Sequence, residues 1–379
     1  MSPRVSVVMA VYNGVEFLGE AIESILSQTF SDFEFLIIDD GSKGTTPVLL
    51  SEYTRRDVRI QIHRFADNRG LATALNYGIR QASGEYIARM DADDLSLPER
   101  LGVQVTFMDA HPEVGICGTW VELIGDTERQ VWEYPRHHAG ISAQMLFSNA
   151  LAHPSVMMRA WVLNQHNLKY DESVRHAQDY ELWSRAISRT ELANIPHILV
   201  QHRRHAQSTG DQYHHEQLQT HEIVVRRLLA PFGLGDSAEE VRLHCRLGAH
   251  QYGSDTQFLR QAREWLERLM MANRKLRLIP PEALNVELGR YWTLVCLRSG
   301  AHPATVLAYI VFPRLPFRGK TGFPKIIAGL QMFFARLLTY VKRLINDDWH
   351  AWKQNLEKFL GFVLVNFFCF CHFWLTKLL

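Results

Sequence analysis

Residues 84–94 read Gly84-Glu85-Tyr86-Ile87-Ala88-Arg89-Met90-Asp91-Ala92-Asp93-Asp94. An apolar run, Tyr86-Ile87-Ala88, is followed closely by three carboxylates within four residues. Carboxylates this close repel one another, so a fold keeps them together only where a cation or a proton balances the charge. Hard divalent cations take oxygen ligands, and Mg2+ commonly uses one or two carboxylates together with substrate phosphates. The stretch therefore reads as an Asp-x-Asp metal clamp at the end of a buried strand, built to hold a nucleotide diphosphate. Its plainer reading is an acidic turn that caps the helix starting near Leu97-Pro98-Glu99. Asp-x-Asp alone is a weak signal; the neighbouring segments add to it.

Working outward, the first 120 residues alternate strand-like and helix-like segments, as in an α/β layered domain with a mostly parallel sheet. Val5–Val11 is an apolar run too short for a membrane span and reads as the first core strand. Asn13 is placed to cap the next helix, with Glu16 as reciprocal partner; Leu18, Ala21, Ile22, Ile25 and Leu26 form its apolar stripe. Phe33–Ile38 is a second strand, entering Asp39-Asp40-Gly41-Ser42, where glycine allows a sharp turn. Thr46-Pro47 opens a helix, Arg59–Arg64 is a short strand, and Asn68-Arg69-Gly70 is a loop before the helical stripe Leu71, Ala74, Leu75, Gly78, Ile79, Ala82. A further strand is expected at Gly115–Leu123. Ligands of open α/β sheets bind beyond the carboxyl ends of the strands. Tyr12-Asn13, Asp39–Ser42 and Asp91–Asp94 all fall at such ends.

Net charge is +1, yet residues 1–120 hold ten Lys/Arg against seventeen Asp/Glu, while 301–345 hold seven Lys/Arg and no acid. An acidic half with a basic tail argues against nucleic acid as the main partner and suits a metal-dependent site that meets anionic surfaces. The five cysteines, Cys117, Cys245, Cys296, Cys369 and Cys371, are odd in number and mostly far apart. They read as reduced thiols of a cytosolic protein. No secretory signal is visible.

In their order and spacing these segments resemble family 2 of the inverting glycosyltransferases, which have the nucleotide-sugar-binding, Rossmann-like GT-A fold. The matching stretches are Val5–Gly14, Ile22-Glu23-Ser24-Ile25-Leu26-Ser27-Gln28-Thr29-Phe30, Ile37–Ser42, Asn68-Arg69-Gly70-Leu71, and Gly84–Asp94 with Pro98-Glu99-Arg100-Leu101. The likeness covers about residues 3–210 and is of the bacterial surface-glycan type.

The resemblance implies a divalent metal, Mn2+ or Mg2+, on Asp91 and Asp93, with His205 as a possible third ligand. Asp94 is open between sugar hydroxyls and a helix cap. Asp40 matches the position that meets the uracil edge, although ordinary turn chemistry before Gly41 would also place an acid there. Ala10 and Tyr12 match positions lining the base pocket, and Ala92 joins the donor contacts. Arg69 is open between a phosphate, the base and plain solvation. Gln201–Ser208 resembles the basic loop that closes over the diphosphate, and Arg203, Arg204 and Ser208 are phosphate candidates on electrostatic grounds. The crowd of His202, His205, His214, His215 and His221 has no regular zinc spacing.

Inversion needs a base on the face opposite the leaving group. Asp179, in Gln178-Asp179-Tyr180-Glu181-Leu182-Trp183, stands at the start of an expected helix. By itself it reads equally as base or as helix cap, and the resemblance favours the base. Gln178 departs from the Glu that the family more often has there. The segment His153–Arg159 resembles one beside the acceptor cleft, which makes His153 an acceptor candidate, and Trp183 of the Asp179 segment is expected there with it.

Three regions are expected: a catalytic domain at 1–215, a helical domain at 216–300 and a basic, apolar, membrane-associating tail at 301–379. In the helical part the stripes predict helices over 217–230, 238–251, 256–273 and 281–298. Arg314, Arg318, Lys320, Lys325, Arg336, Lys342 and Arg343 among apolar residues suit anionic lipid. Phe359–Leu375, at the lower length limit for a span, reads as a helix in the membrane interface or a short anchor. The chain is thus expected to act at the cytoplasmic face of the inner or plasma membrane. It would move a sugar from a nucleotide-sugar donor, UDP-linked, to a glycan or lipid-linked acceptor in cell-surface polysaccharide synthesis. Its non-enzymatic rival is a degenerate nucleotide-sugar-binding scaffold. A processive synthase would carry several clear spans and Gln-x-x-Arg-Trp, and a nucleotidyltransferase a Gly-rich basic N-terminal loop; neither pattern is present.

Overall fold

The computed structural model describes residues 2–125, 130–204, 214–253 and 255–298. Chain contacts group residues 1–295 into one compact unit. The fold is α/β, with the helical C-terminal part that the stripes predict. The strands are β1 Val5–Val11, β2 Phe33–Asp39, β3 Ile60–Arg64, β4 Tyr86–Asp91, β5 Leu95–Ser96, β6 Val114–Gly125, β7 Gln130–Trp132, β8 Met157–Arg159 and β9 Glu191–Arg204. The helices are α1 Val15–Leu26, α2 Thr46–Arg56, α3 Leu71–Gln81, α4 Arg100–Ala110, α5 His138–Met145, α6 Ala160–Gln165, α7 Gln178–Ala186, α8 His214–Leu229, α9 Ala238–Gly248, α10 Thr256–Leu276 and α11 Pro281–Arg298.

One sheet runs in the order β3-β2-β1-β4-β8-β6-β9-β5, with β7 on β6. Strands β3, β2, β1 and β4 are parallel. Antiparallel β8 joins them to β6, whose pairing with β9 is again parallel. A sheet covered on both faces needs apolar residues at successive positions, and β1 and β2 have them. Val5, Val7, Met9 and Val11 pack with Phe35 and Ile37 on the α1 and α4 side. Val8 and Leu36 pack with Leu75, Ile116 and Trp183 on the other.

Register sets the site. Ala10 lies opposite Ile38 on one side and Asp91 on the other. Val11 lies opposite Asp39, and Asp39 opposite Arg64. The ends of four parallel strands are therefore level, which brings the polar segments after β1, β2 and β4 to one edge.

The helical part is tied on by buried polar contacts. Glu181 on α7, buried, accepts hydrogen bonds from Arg185 (2.6 Å) and from Arg227 on α8 (2.6 Å). His244 on α9 pairs with the Leu146 carbonyl (2.7 Å), and its Nδ1 accepts the Trp265 indole N–H (2.9 Å). Burial lowers the His244 pKa to about 4, so the ring is neutral and can accept that bond. Among the described residues no helix is long and apolar enough to cross a membrane. The tail at 301–379, with its proposed membrane helix at 359–375, lies outside the described residues.

Three local expectations need correction. Asn13 is not the cap of α1: that position is Gly14, and no side chain caps it. Asn13 instead adopts a left-handed backbone (φ 56°) and its Oδ1 accepts the Lys43 N–H at 2.8 Å, stitching the turn after β1 to the turn after β2. Gln201–Arg204 is not loop but the end of β9, paired with Glu122–Gly125. Asp94 does not cap α4, whose first flanking residue is Glu99.

Candidate active site

Strand alternation decides what faces what at the end of β4. Tyr86, Ala88 and Met90 pack on the α1 and α4 side. Ile87 packs in the opposite layer with Trp183 and Tyr170, so Arg89 and Asp91, two and four residues on, share that face. Arg89 is 2% exposed and both terminal nitrogens of its guanidinium grip both oxygens of Asp91. Burial raises the Asp91 pKa to about 6, with Arg89 pulling it down and Asp94 and Asp93 pushing it up.

Oxygens of Asp91, Asp93 and Asp94 lie within 4.8 Å of one another, and this is the one candidate metal group of three or more ligands among the described residues. The donor set suits a hard cation, but the three acids are not equivalent. Asp94 is fully buried; its carboxylate meets His202 Nδ1 at 3.0 Å and accepts the Arg203 backbone N–H at 2.8 Å. Burial disfavours a charged His202, yet the Asp94 carboxylate beside it lifts its pKa to about 9. Asp94 thus anchors β9 beneath the cluster, while Asp91 and Asp93 stand half-buried at its rim. His205 and Ser208 lie outside the described residues, as do the side chains of His214 and His215. His221 pairs with the Phe147 carbonyl (3.1 Å), apart from any metal group.

On the other donor side, Asp40 is a buried acid that accepts the N–H groups of Arg69 (2.7 Å) and Gly70 (2.9 Å). It holds the 67–70 loop against the end of β2. The Arg69 guanidinium lies 4.8 Å from the Phe65 ring centre. Tyr12 is 50% exposed at the mouth, beside half-buried Ala10 and, at the end of β4, Ala92. Arg203 is committed within the protein: it donates to Glu20 (2.6 Å) and the Asp93 carbonyl (2.9 Å) and lies over Phe17. Arg204 ends β9 and has a partner of its own.

Asp179 stands in the first turn of α7, within reach of the Arg89 charge. Asn149 donates to its Oδ2 at 2.6 Å. Burial holds its pKa above the usual carboxylate range, against the opposing pull of the Tyr180 N–H, Arg89 and Asn149. His153 Nε2 meets the Tyr170 hydroxyl at 2.7 Å. Burial and then the Arg89 charge push its pKa well down, so this ring is neutral. Trp183, expected at the acceptor, is fully buried. It packs edge-to-face on His153, 6.3 Å between ring centres, and so offers no open face to a sugar.

The structure adds residues that the motifs leave out. Arg89 acts on Asp91, Asp179, His153 and Tyr170 together. Its signal was an arginine inside an apolar strand, two residues before Asp91. Asn149 has no local signal at all, because its partner lies 30 residues away.

Residues 6–166 match the family described as Glycosyl transferase family 2. An uncharacterised glycosyltransferase of Haemophilus influenzae is 34% identical over 234 residues, 59% of this chain and 72% of that protein. The Escherichia coli O-antigen biosynthesis glycosyltransferase WbnJ is 34% identical over 211 residues, 54% of this chain and 81% of that one. The S. aureus TarS 1-349 structure in complex with UDP-GlcNAc is similar in fold, with TM-score 0.54 and 15% identity over 80% of this chain and 93% of that one. The architecture is that of the GT-A fold. The chain belongs to glycosyl transferase family 2 and is a glycosyltransferase.

Proposed function

We propose that this glycosyltransferase moves a sugar from a nucleotide-sugar donor, UDP-linked, to a glycan or lipid-linked acceptor in cell-surface polysaccharide synthesis, with inversion. The observation that carries the reading is that one buried arginine, Arg89, acts both on Asp91 of the acidic cluster that ends β4 and on Asp179 of α7. The O-antigen role of WbnJ and the UDP-GlcNAc bound to TarS support the donor and acceptor classes.

In this reading the turns carrying Tyr12, Asp40 and Arg69 receive the base. Asp91 and Asp93 would hold Mn2+ or Mg2+, which would supply positive charge against the negative charge growing on the leaving diphosphate. Asp179 takes the proton of the acceptor hydroxyl as that oxygen attacks the anomeric carbon. Its raised pKa favours accepting that proton. Asn149 fixes the direction of its carboxylate, and neutral His153 and Tyr170 form the floor beside it. Arg203, paired with Glu20 and the Asp93 carbonyl, ties the end of β9 to the cluster, and Arg204 and Ser208 are the phosphate contacts of this reading. Residues 1–215 are the catalytic part and 216–300 a helical support. The basic tail at 301–379 rests on anionic lipid at the cytoplasmic membrane face.

A thermal-shift screen of nucleotides and nucleotide sugars with and without Mn2+ tests the donor site. UDP at 100 times its dissociation constant stabilises by about 2.7 kcal/mol, and the shift is expected only when metal is present. Folded protein that responds to no nucleotide would favour the scaffold reading.

A further inference from the structure

The grip of Arg89 on Asp91 conflicts with the role given to Asp91. Both carboxylate oxygens face the two terminal nitrogens of one guanidinium. A forked, charge-assisted pair is among the strongest polar contacts available to a carboxylate, and here the arginine is 2% exposed. A carboxylate used in this way is not simultaneously a good ligand for a cation. The second observation concerns the arginine itself. Its buried Nε has no hydrogen-bond partner among the described residues, whereas Arg100 beside it donates to Gln104 (3.0 Å) and the Arg89 carbonyl (2.7 Å). Buried polar groups of a settled structural network are satisfied; this one is not. Its neighbours on the same face include Asp179, so its charge has another acid to answer when Asp91 is taken away.

We propose that Arg89 is a latch on the cation site: it holds Asp91 in the ligand-free enzyme, and a divalent cation gains that carboxylate only by displacing the guanidinium. This rests on the metal-dependent reading above. Two cations cannot share Asp91 comfortably, so the metal alone binds poorly. An incoming diphosphate adds negative charge at the same place and shifts the exchange towards the metal. Metal and nucleotide therefore bind as a coupled pair, and by linkage each tightens the other by the same factor. The enzyme commits its cation only when a donor is present. Arg89 is a positioning residue in this scheme and never touches the reacting atoms.

The test is Mn2+ binding to the full chain, read from the electron paramagnetic resonance of free Mn2+ and repeated by calorimetry, with and without UDP. Wild type is expected to bind Mn2+ at least about tenfold more tightly with UDP, within the usual range for coupled sites. Arg89→Gln leaves the acidic cluster uncompensated, so Mn2+ alone binds about tenfold more tightly than to wild type and the coupling shrinks. Mn2+ alone should also raise the melting temperature of Arg89→Gln more than that of wild type. Arg89→Lys keeps a charge without the fork and falls between the two, which serves if the glutamine variant does not fold. Asp93→Asn should lose Mn2+ in every condition. If neither Arg89 variant changes Mn2+ affinity, the latch is overturned and the metal-dependent reading stands; if wild type binds Mn2+ equally well with and without UDP, the latch is overturned and so, by linkage, is the metal-dependent binding of UDP. If wild type binds no Mn2+ under any condition, both fall together.

Discussion

Asp179→Asn is expected to lower the rate of sugar transfer by about 10^2 to 10^4-fold, the range that a positioned general base contributes, while nucleotide affinity stays as it is. The two halves of that expectation come from the geometry. Asp179 lies in the first turn of α7, an element separate from the turns that would hold the base. Its immediate partner is Asn149, not a residue of the acidic cluster. The substitution keeps size and shape, and the asparagine carbonyl can still accept the Asn149 N–H. Stability should not suffer. Burial raises the Asp179 pKa above its value in an unfolded chain, so folding is favoured most when the group is protonated. That favour is lost as pH rises through the folded value. At neutral pH the charged aspartate therefore costs stability, and the neutral amide should melt at the same temperature or higher. The pH–rate profile supplies an independent reading. The acid limb for wild type should lie above the range near 4 of an ordinary aspartate, and residual activity of the variant should lack it. Turnover of the donor found by the thermal-shift screen, with calorimetric UDP titration of both proteins, makes the measurement. A variant that transfers sugar at the wild-type rate would remove Asp179 from the chemistry.

The parallel strands were legible because each is an apolar run bounded by turn residues. The expected Val5–Val11 coincides with β1, and the second strand extends by one residue to Asp39. The helices α1, α3 and α10 were legible from their stripes. Pairing across the sheet was less so. Strand β8 is three residues long and antiparallel, and β9 runs 14 residues through His197 and into Gln201–Arg204. Its polar end reads as loop because basic residues usually mean solvent. In the structure one of them, Arg203, reaches along the surface to Glu20 and Phe17. The same limit governs the site. Asp91, Asp93 and Asp179 announce themselves by residue type and context, and a buried tryptophan beside them looks like a sugar platform. Only packing shows that Trp183 faces inwards. Only packing shows that Asp94 belongs to His202, a pair 108 residues apart. Arg89 was visible as a letter of the motif, but its role depends on which face of β4 is covered by α7.

The turn after β2 gives the second large effect, and it ties stability to donor binding. Gly41→Ala is expected to destabilise the protein by about 2–4 kcal/mol, towards the upper part of the range for single substitutions, and to weaken nucleotide binding with it. Two separate penalties meet at this residue. Its φ is +77°, a region where a side chain costs roughly 1–2 kcal/mol. An added Cβ would also stand 2.6 Å from the Asp67 carbonyl carbon and 2.8 Å from the Asn68 nitrogen, both backbone atoms with no flexible end to swing away. The loop must therefore retreat, and it is the loop that Asp40 holds through the N–H groups of Arg69 and Gly70. Moving it loosens both hydrogen bonds of a buried carboxylate and displaces Arg69 from its place over Phe65. Gly44 separates the two penalties. It has φ +67° but nothing within 4 Å of an added Cβ, so Gly44→Ala should cost only the backbone strain, about 1–2 kcal/mol, and leave UDP affinity nearly unchanged. Urea unfolding of both variants beside UDP titrations makes the comparison. If Gly41→Ala proves no worse than Gly44→Ala in either measurement, the 67–70 loop does not press on the β2 turn. Asp40 would then be available to the base without holding the loop that carries Arg69.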